Sequence, residues 1–294
     1  MNTLAIAGVG LIGGSFGLAL RKAGFKGRIL GISSAATIRR AVRSGAIDEG
    51  VSIEEALRVC DVLYLAQPIG VILQTIERIG PLLTRDIFIT DAGSTKRTIV
   101  ARASAHIRRG QFVGGHPVAG KEVQGIGAAD PDLFCNRPYI LTPPSIDSLH
   151  TPLAGEFVRW LDRIGSDVVV MSPTSHDRAL AFTSHLPQLV STALAGVISS
   201  EFKDNEAPPP AGPGLRDMMR LAQSPFDIWE DILGTNADEV RHALQVYIDK
   251  LTDFRDNLTS SALVCDFTLA AQAASRFRGK PSPEVQARQR ETDT

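Results

Sequence analysis

Cysteine is scarce in this chain: of 294 residues only Cys60, Cys135 and Cys265 are cysteine. They are odd in number, far apart and form no CxxC pair. That excludes a disulfide framework and a cysteine-based zinc site, and a reducing, cytoplasmic setting is expected, with no metal. Long apolar runs are missing too. No window of about 18 uninterrupted apolar residues occurs, so no membrane span or membrane partner is expected. The run Leu4–Gly8 already reads as a strand, with no basic region leading into a long apolar stretch, so no secretory signal is expected. An excess of charge is also absent. Lys and Arg number 31 against 32 Asp and Glu, a net charge of −1, without a long basic run, and no nucleic-acid partner is expected.

What is present is an alternation. Short β-rich runs (Leu4–Val9, Arg28–Ile32, Val62–Ala66, Ile87–Asp91, Phe112–Gly115, Tyr139–Thr142, Asp167–Met171) alternate with helix-like segments (Ser15–Ala23, Ala35–Ser44, Val71–Leu83, Thr95–Ile107, Pro152–Ile164). Several strands are apolar on consecutive residues, as strands covered on both faces are. The pattern predicts an α/β fold, a doubly wound parallel sheet of Rossmann type over residues 1–172. After Met171 no convincing strand follows. Helical stretches cover Pro173–Ser184, His185–Phe202, Leu215–Gln223, Asp227–Leu233, Ala237–Thr259 and Ser261–Phe277, and an all-helical domain is predicted over 173–294. Lys203–Gly214 reads as a Pro/Gly-rich loop and the tail from Arg278 as loose. Val240, Leu244, Tyr247, Leu251, Phe254 and Leu258 lie along one helical seam, suited to packing within the domain, to a subunit interface, or to both.

The turn Gly8-Val9-Gly10-Leu11-Ile12-Gly13 is a GxGxxG between a predicted strand and a predicted helix, the setting in which that motif binds a dinucleotide. Gly8 permits the tight turn, Gly10 lets the backbone approach a pyrophosphate, and Gly13 allows close packing of helix on strand. The helix N-terminus then offers free N–H groups to the phosphates. Gln67 and Pro68, just past the third run, join the expected cofactor set. At the end of the second strand, where NAD enzymes place a carboxylate on the ribose, stand Ser33 and Ser34, and Arg39 and Arg40 follow. A 2′-phosphate would meet no repulsion there and could gain positive charge, which favours NADP over NAD.

Two further segments end predicted strands: Asp91-Ala92-Gly93-Ser94-Thr95-Lys96, and Gly114-Gly115-His116-Pro117-Val118-Ala119-Gly120. Ligands bind beyond the carboxyl ends of such strands. Ser94 and His116 can therefore face a nicotinamide, and His116 suits acid–base work near neutral pH.

Five blocks in order, GVGLIGGS, DAGSTK, GGHPVAG, SHLPQ and GLRDMMRLAQSPFDIWEDI, resemble the prephenate/arogenate dehydrogenase family. The resemblance implies coupled oxidation and decarboxylation of prephenate or arogenate in tyrosine biosynthesis, with hydride passed to NAD(P). It implies that His116 takes the proton of the C4 hydroxyl and that Ser94 orients both this histidine and the hydroxyl. Arg220 is implied to pair with the ring carboxylate, and Asp217, on the same helical face, to steer Arg220. His185 is implied to be a second active-site histidine and Trp229 to lie near the substrate. The family often has Thr at position 121 and His at position 188. Here Lys121 and Gln188 stand where the substrate's side chain is expected, which leaves prephenate against arogenate open. The resemblance further implies a homodimer formed through the helical domain, in a minimal form without a mutase or regulatory segment. Two rivals are another β-hydroxyacid dehydrogenase, whose helical-domain lysine block is not found here, and a non-catalytic NADP-binding sensor.

Overall fold

The structure, a computed structural model, describes residues 1–121, 123–202 and 210–277. Residues 203–209 of the expected loop and the tail from Arg278 lie outside the described residues. The chain forms two compact units, Met1–Arg241 and His242–Thr294. The division by element type, after Ser172, falls within the first.

The first unit is built on an eight-stranded sheet, ordered β3-β2-β1-β4-β5-β6-β7-β8. In chain order its elements are β1 (Thr3–Ala7), α1 (Leu11–Lys22), β2 (Arg28–Ile32), α2 (Ala35–Arg43), β3 (Glu49–Gly50), α3 (Ile53–Val59), β4 (Val62–Leu65), α4 (Ile69–Ile79), β5 (Phe88–Asp91), α5 (Arg97–His106), β6 (Gln111–Pro117), β7 (Pro138–Thr142), α6 (Pro152–Arg163) and β8 (Asp167–Val170). Alternate strand residues face two cores. On one face Leu4, Ile6, Tyr64 and Phe88 meet Phe16 and Phe157. On the other Ala5, Leu63, Leu65 and Ile89 meet Ile72, Ile76 and Ile99. Phe16 stacks on Tyr64 at a centroid distance of 4.4 Å. Each such fully buried aromatic contributes about 2–3 kcal/mol of transfer free energy.

The sheet departs from the all-parallel expectation at one seam. β6 and β7 pair antiparallel, whereas every other neighbour is parallel. The link from Val118 to Arg137 carries only a short 3₁₀ turn at Ile126–Ala128 in its described part. A parallel return needs a crossover, usually a helix, and this link has none to offer. The link from β7 to β8 does hold a helix, α6, and that pair is parallel.

Helices follow β8: α7 (Pro173–Leu180), a π-helical turn (Ala181–His185), α8 (Leu186–Glu201), α9 (Pro213–Met219), a 3₁₀ turn (Arg220–Gln223) and α10 (Phe226–Thr235). The π turn interrupts what the periodicity reads as helix up to Ser184. α11 (Ala237–Asp256) begins in the first unit and runs through the second, which also holds α12 (Leu263–Phe277). Within the second unit Lys250 bridges to Asp266 at 2.6 Å. Of the expected seam, Tyr247 and Phe254 are half-buried while Leu251 and Leu258 are exposed. Among the described residues no helix is long and apolar enough to cross a membrane, and no cluster of potential metal ligands is found.

Candidate active site

The glycine turn after β1 has the geometry that its sequence requires. Gly8 adopts φ +90°, and a Cβ there would sit 2.5 Å from the Ala66 carbonyl oxygen. Its N–H donates to Ile32 O at 2.9 Å, pinning the turn between β1 and β2. A Cβ on Gly13 would collide with the Gly8 carbonyl, so helix and turn touch through bare backbone. Gly10 differs: nothing lies within 4 Å of where its Cβ would be. Beside it, the first turn of α1 carries no acidic residue and no side-chain cap. Open space over a half-buried glycine at an uncapped helix N-terminus fits a dinucleotide pyrophosphate. Leu11 and Ile12 open that helix.

At the end of β2, Ser34 is committed to the fold: its hydroxyl caps α2, accepting the Thr37 N–H at 3.3 Å. Ser33, Arg39 and Arg40 are exposed, and α2 contains no carboxylate. Ile12, Gln67, Pro68 and Ser94 share one cavity of about 260 Å³, which Gln124, Asp227 and Asp231 help to line. Asp231, on α10, accepts the Gly70 N–H at 2.8 Å and so caps α4 from the helical side.

His116 stands in β6, buried. Its ring meets His176 on α7: Nδ1 of His116 and Nε2 of His176 are 2.8 Å apart. His176 Nδ1 is in turn 2.7 Å from Asp177 Oδ1. Asp177 also accepts the backbone N–H of Lys96 (2.6 Å) and of Arg97 (2.9 Å), together with Arg97 Nε (3.3 Å). It thereby caps the N-terminus of α5. Lys96, wholly buried, reaches back to Asp91 and donates to Gly115 O at 2.8 Å, beside His116. Asn236 closes the network, donating to Asp177 O at 2.8 Å and accepting from Arg97 Nη2 at 3.0 Å.

The electrostatics follow from burial. His116 is held well below the usual histidine range by desolvation, with His176 and Lys96 adding repulsion to a proton. His185 is lowered to about 4, again chiefly by burial. For Asp177, burial acts upward, but the hydrogen bonds from His176, Arg97 and Lys96 outweigh it and the carboxyl lies below its ordinary value. The centre thus holds neutral imidazoles beside an ionised carboxylate.

The other expected site residues divide. His185 ends the π turn, buried, with its ring edge-on to Trp229 at 6.0 Å, and Trp229 Nε1 donates to Ser224 Oγ at 2.9 Å. Gln188 is buried and donates to Leu221 O (2.8 Å), which ties α8 to the turn that bears Arg220, and to Thr192 Oγ1 (3.2 Å) one turn along α8 itself. Asp217 and Arg220 are exposed on α9 and that turn. Lys121 pairs with Asp130 at 2.8 Å. His176, Asp177, Lys96 and Asn236 were not singled out by sequence reasoning. The adjacent His-Asp pair early in α7, after the Ser172 cap, was the available signal.

With this geometry in view, comparison with known proteins is specific. Residues 16–157 match the family model described as prephenate dehydrogenase, nucleotide-binding domain, and residues 172–263 match prephenate dehydrogenase, dimerization domain. The prephenate dehydrogenase of Bacillus subtilis is 33% identical over 267 residues, spanning 86% of this chain and 69% of that protein. The crystal structure of the Aquifex aeolicus prephenate dehydrogenase with hydroxyphenyl propionate and NAD+ superposes with a TM-score of 0.83 at 29% identity, covering 94% of this chain and 98% of that one. Synechocystis arogenate dehydrogenase gives a TM-score of 0.77 at 30% identity, covering 94% and 99%. The chain belongs to the prephenate dehydrogenase family.

Proposed function

We propose that the protein oxidises and decarboxylates prephenate to 4-hydroxyphenylpyruvate, or arogenate to tyrosine, in tyrosine biosynthesis. The observation that carries this reading is His116: a neutral, buried imidazole at a strand end of a nucleotide-binding sheet, in a chain of this family. A bound nicotinamide would supply the hydride acceptor. Gly8, Gly10, Leu11, Ile12 and Gly13 would hold its pyrophosphate, and Gln67, Pro68 and Ser94 line the adjoining cavity.

His116 accepts the proton of the substrate's C4 hydroxyl as the carbonyl forms, a task that needs an unprotonated imidazole. Ser94 donates to the same oxygen from the cavity wall. Arg220 holds the ring carboxylate with its planar guanidinium, and Asp217 sets its orientation. His185 and Trp229 form the wall behind the ring. Gln188 and Lys121 act at second hand, through the Arg220 turn and through Asp130.

NADP is the preferred cofactor on this reading. Ser33 and Arg39 stand exposed at the end of β2 with no carboxylate on α2 to repel a 2′-phosphate. Residues 1–172 form the dinucleotide part and 173–294 the substrate and dimer part. A homodimer is supported by the exposed apolar side chains Leu251, Leu258, Val264 and Phe267 of the second unit and by the dimerization-domain match. The three unpaired cysteines suit a reducing, cytoplasmic setting.

The test is reduced-cofactor absorbance with prephenate and arogenate, each with NADP and NAD. Turnover with either substrate is expected, faster with NADP. Four flat traces from a folded, cofactor-binding sample would remove the assignment.

A further inference from the structure

We propose that His176 and Asp177 are positioning residues that set the tautomer of His116 and hold the substrate's proton between the two halves of the reaction. This rests on the reading of His116 as the base. Asp177 faces only donors: two backbone N–H groups, Arg97 Nε and His176 Nδ1. A carboxylate so placed is an acceptor, which puts a proton on His176 Nδ1. A neutral His176 then has a bare Nε2. The 2.8 Å contact to His116 must therefore be donated by His116 Nδ1–H. That leaves the lone pair of His116 on Nε2, the one ring nitrogen of the pair without a hydrogen-bond partner among the described residues. Tautomers are assigned from the network in this way because the partner at one nitrogen fixes the state of the other.

The chain His116–His176–Asp177 also has somewhere to put the charge. When the C4 O–H bond breaks, its proton goes to His116 Nε2; a bound nicotinamide would accept the hydride that leaves C4 with its electron pair. The Nδ1 proton of His116 can shift to His176 Nε2, placing the positive charge on an imidazolium 2.7 Å from the Asp177 carboxylate. Cleavage of the ring–carboxylate bond releases CO2 and leaves its electron pair in the ring, so that the C4 oxygen becomes a phenolate. His116 Nε2 returns the proton to that oxygen, and His176 returns its own to His116. Protons balance, and none enters or leaves the protein.

The groups facing the pair are Lys96 from the β5–α5 link, His185 from the π turn, Asp91 at the end of β5 and Asp177 on α7. The first two disfavour a proton on it and the last two favour it.

The tautomer can be read without substrate. In the ring-¹⁵N-labelled full chain at pH 7.5, long-range ¹H–¹⁵N correlation is expected to show His116 protonated at Nδ1, with the assignment made by loss of the signal in His116→Asn. In His176→Phe it is expected to change to Nε2–H. That variant should lose about 10²-fold in kcat with KM changed less than about threefold. In Asp177→Asn the acid limb of kcat/KM should move to lower pH by about one unit, since removing the carboxylate makes the pair harder to protonate. A merely structural role would lower the plateau and leave the limb in place. An Nε2–H His116 in the wild type, an unchanged kcat in His176→Phe, or an unmoved limb would each overturn the proposal. A wild type inactive on both substrates would instead remove the dehydrogenase reading, while the wild-type spectrum still decides the tautomer even if the His176 and Asp177 variants fail to fold.

Discussion

The buried lysine at the head of α5 offers the sharpest test of how the site is held. Lys96 is fully buried, and its ammonium meets the equally buried Asp91 carboxylate and Gly115 O. Lys96→Met keeps the length and removes the charge. Asp91 retains two backbone donors, Gly93 N–H at 2.8 Å and Gly115 N–H at 3.1 Å, but loses its cation. Removing one partner of a buried ion pair typically costs about 3–5 kcal/mol, because the remaining charge is uncompensated. The two N–H groups place the expected loss near the lower end, about 3 kcal/mol. Asp91→Asn with Lys96→Met removes both charges while keeping an acceptor for one of those two N–H groups, and should recover part of the loss. Urea unfolding followed by far-UV circular dichroism reads both, with an unchanged slope showing that the states compared are the same. A single variant within about 1 kcal/mol of wild type, or a double variant no better than the single, would refute the view that this pair is held by mutual compensation.

Three further outcomes follow from the site. His116→Asn should lower kcat by about 10²–10⁴-fold while cofactor binding, measured by calorimetry, stays unchanged; near-normal turnover would take the proton-transfer role away from it. Arg220→Ala should raise KM by about 10–100-fold with a smaller effect on kcat, and an unchanged KM would move the carboxylate site elsewhere. Stability should fall with acid. His185 drops from 6.5 to about 4 on folding, and His116 and His176 shift the same way. The unfolded chain thus binds these protons more readily, and the stabilisation present above pH 6.5 is lost as pH falls toward 4, with His185 alone worth roughly 3 kcal/mol. A melting temperature flat from pH 7 to 4.5 would contradict it.

Much of this arrangement can be read from residues, and the parts that cannot share a cause. The turn at Gly8 is legible because a positive φ and a backbone collision leave only glycine possible, and strand and helix flank it. His116 is legible because an apolar strand ending in a polar group marks the ligand side of a parallel sheet. The antiparallel β7 is not. A strand buried on both faces has the same apolar run whichever way it points, and the direction is set by what the connecting link lacks. His176 and Asp177 leave only the weak signal of an adjacent His-Asp pair, for a related reason. Periodicity reports which face of α7 is apolar, and a polar pair there reads as solvated until tertiary packing presses it against Lys96, Arg97 and His116. Lys121 and Gln188 each have the right chemistry for a substrate, and each also has a partner, Asp130 or Leu221 O, that sequence distance hides.

The buried polar groups make sense together rather than singly. A neutral histidine is easily obtained by burial alone, since desolvation drives the proton off. Burial alone would also make that histidine a poor base, because the charge it must briefly carry would be stranded in an apolar setting. Asp177 resolves the conflict at a distance of one ring. It is kept ionised by the N-terminus of α5 and by Arg97, so it does not compete for the proton, yet it lowers the cost of placing that proton on His176. The same contacts clamp α7 to the β5–α5 link, where Ser94 and Lys96 stand. Helix docking and base strength therefore depend on one carboxylate, and a change that loosens the first should weaken the second.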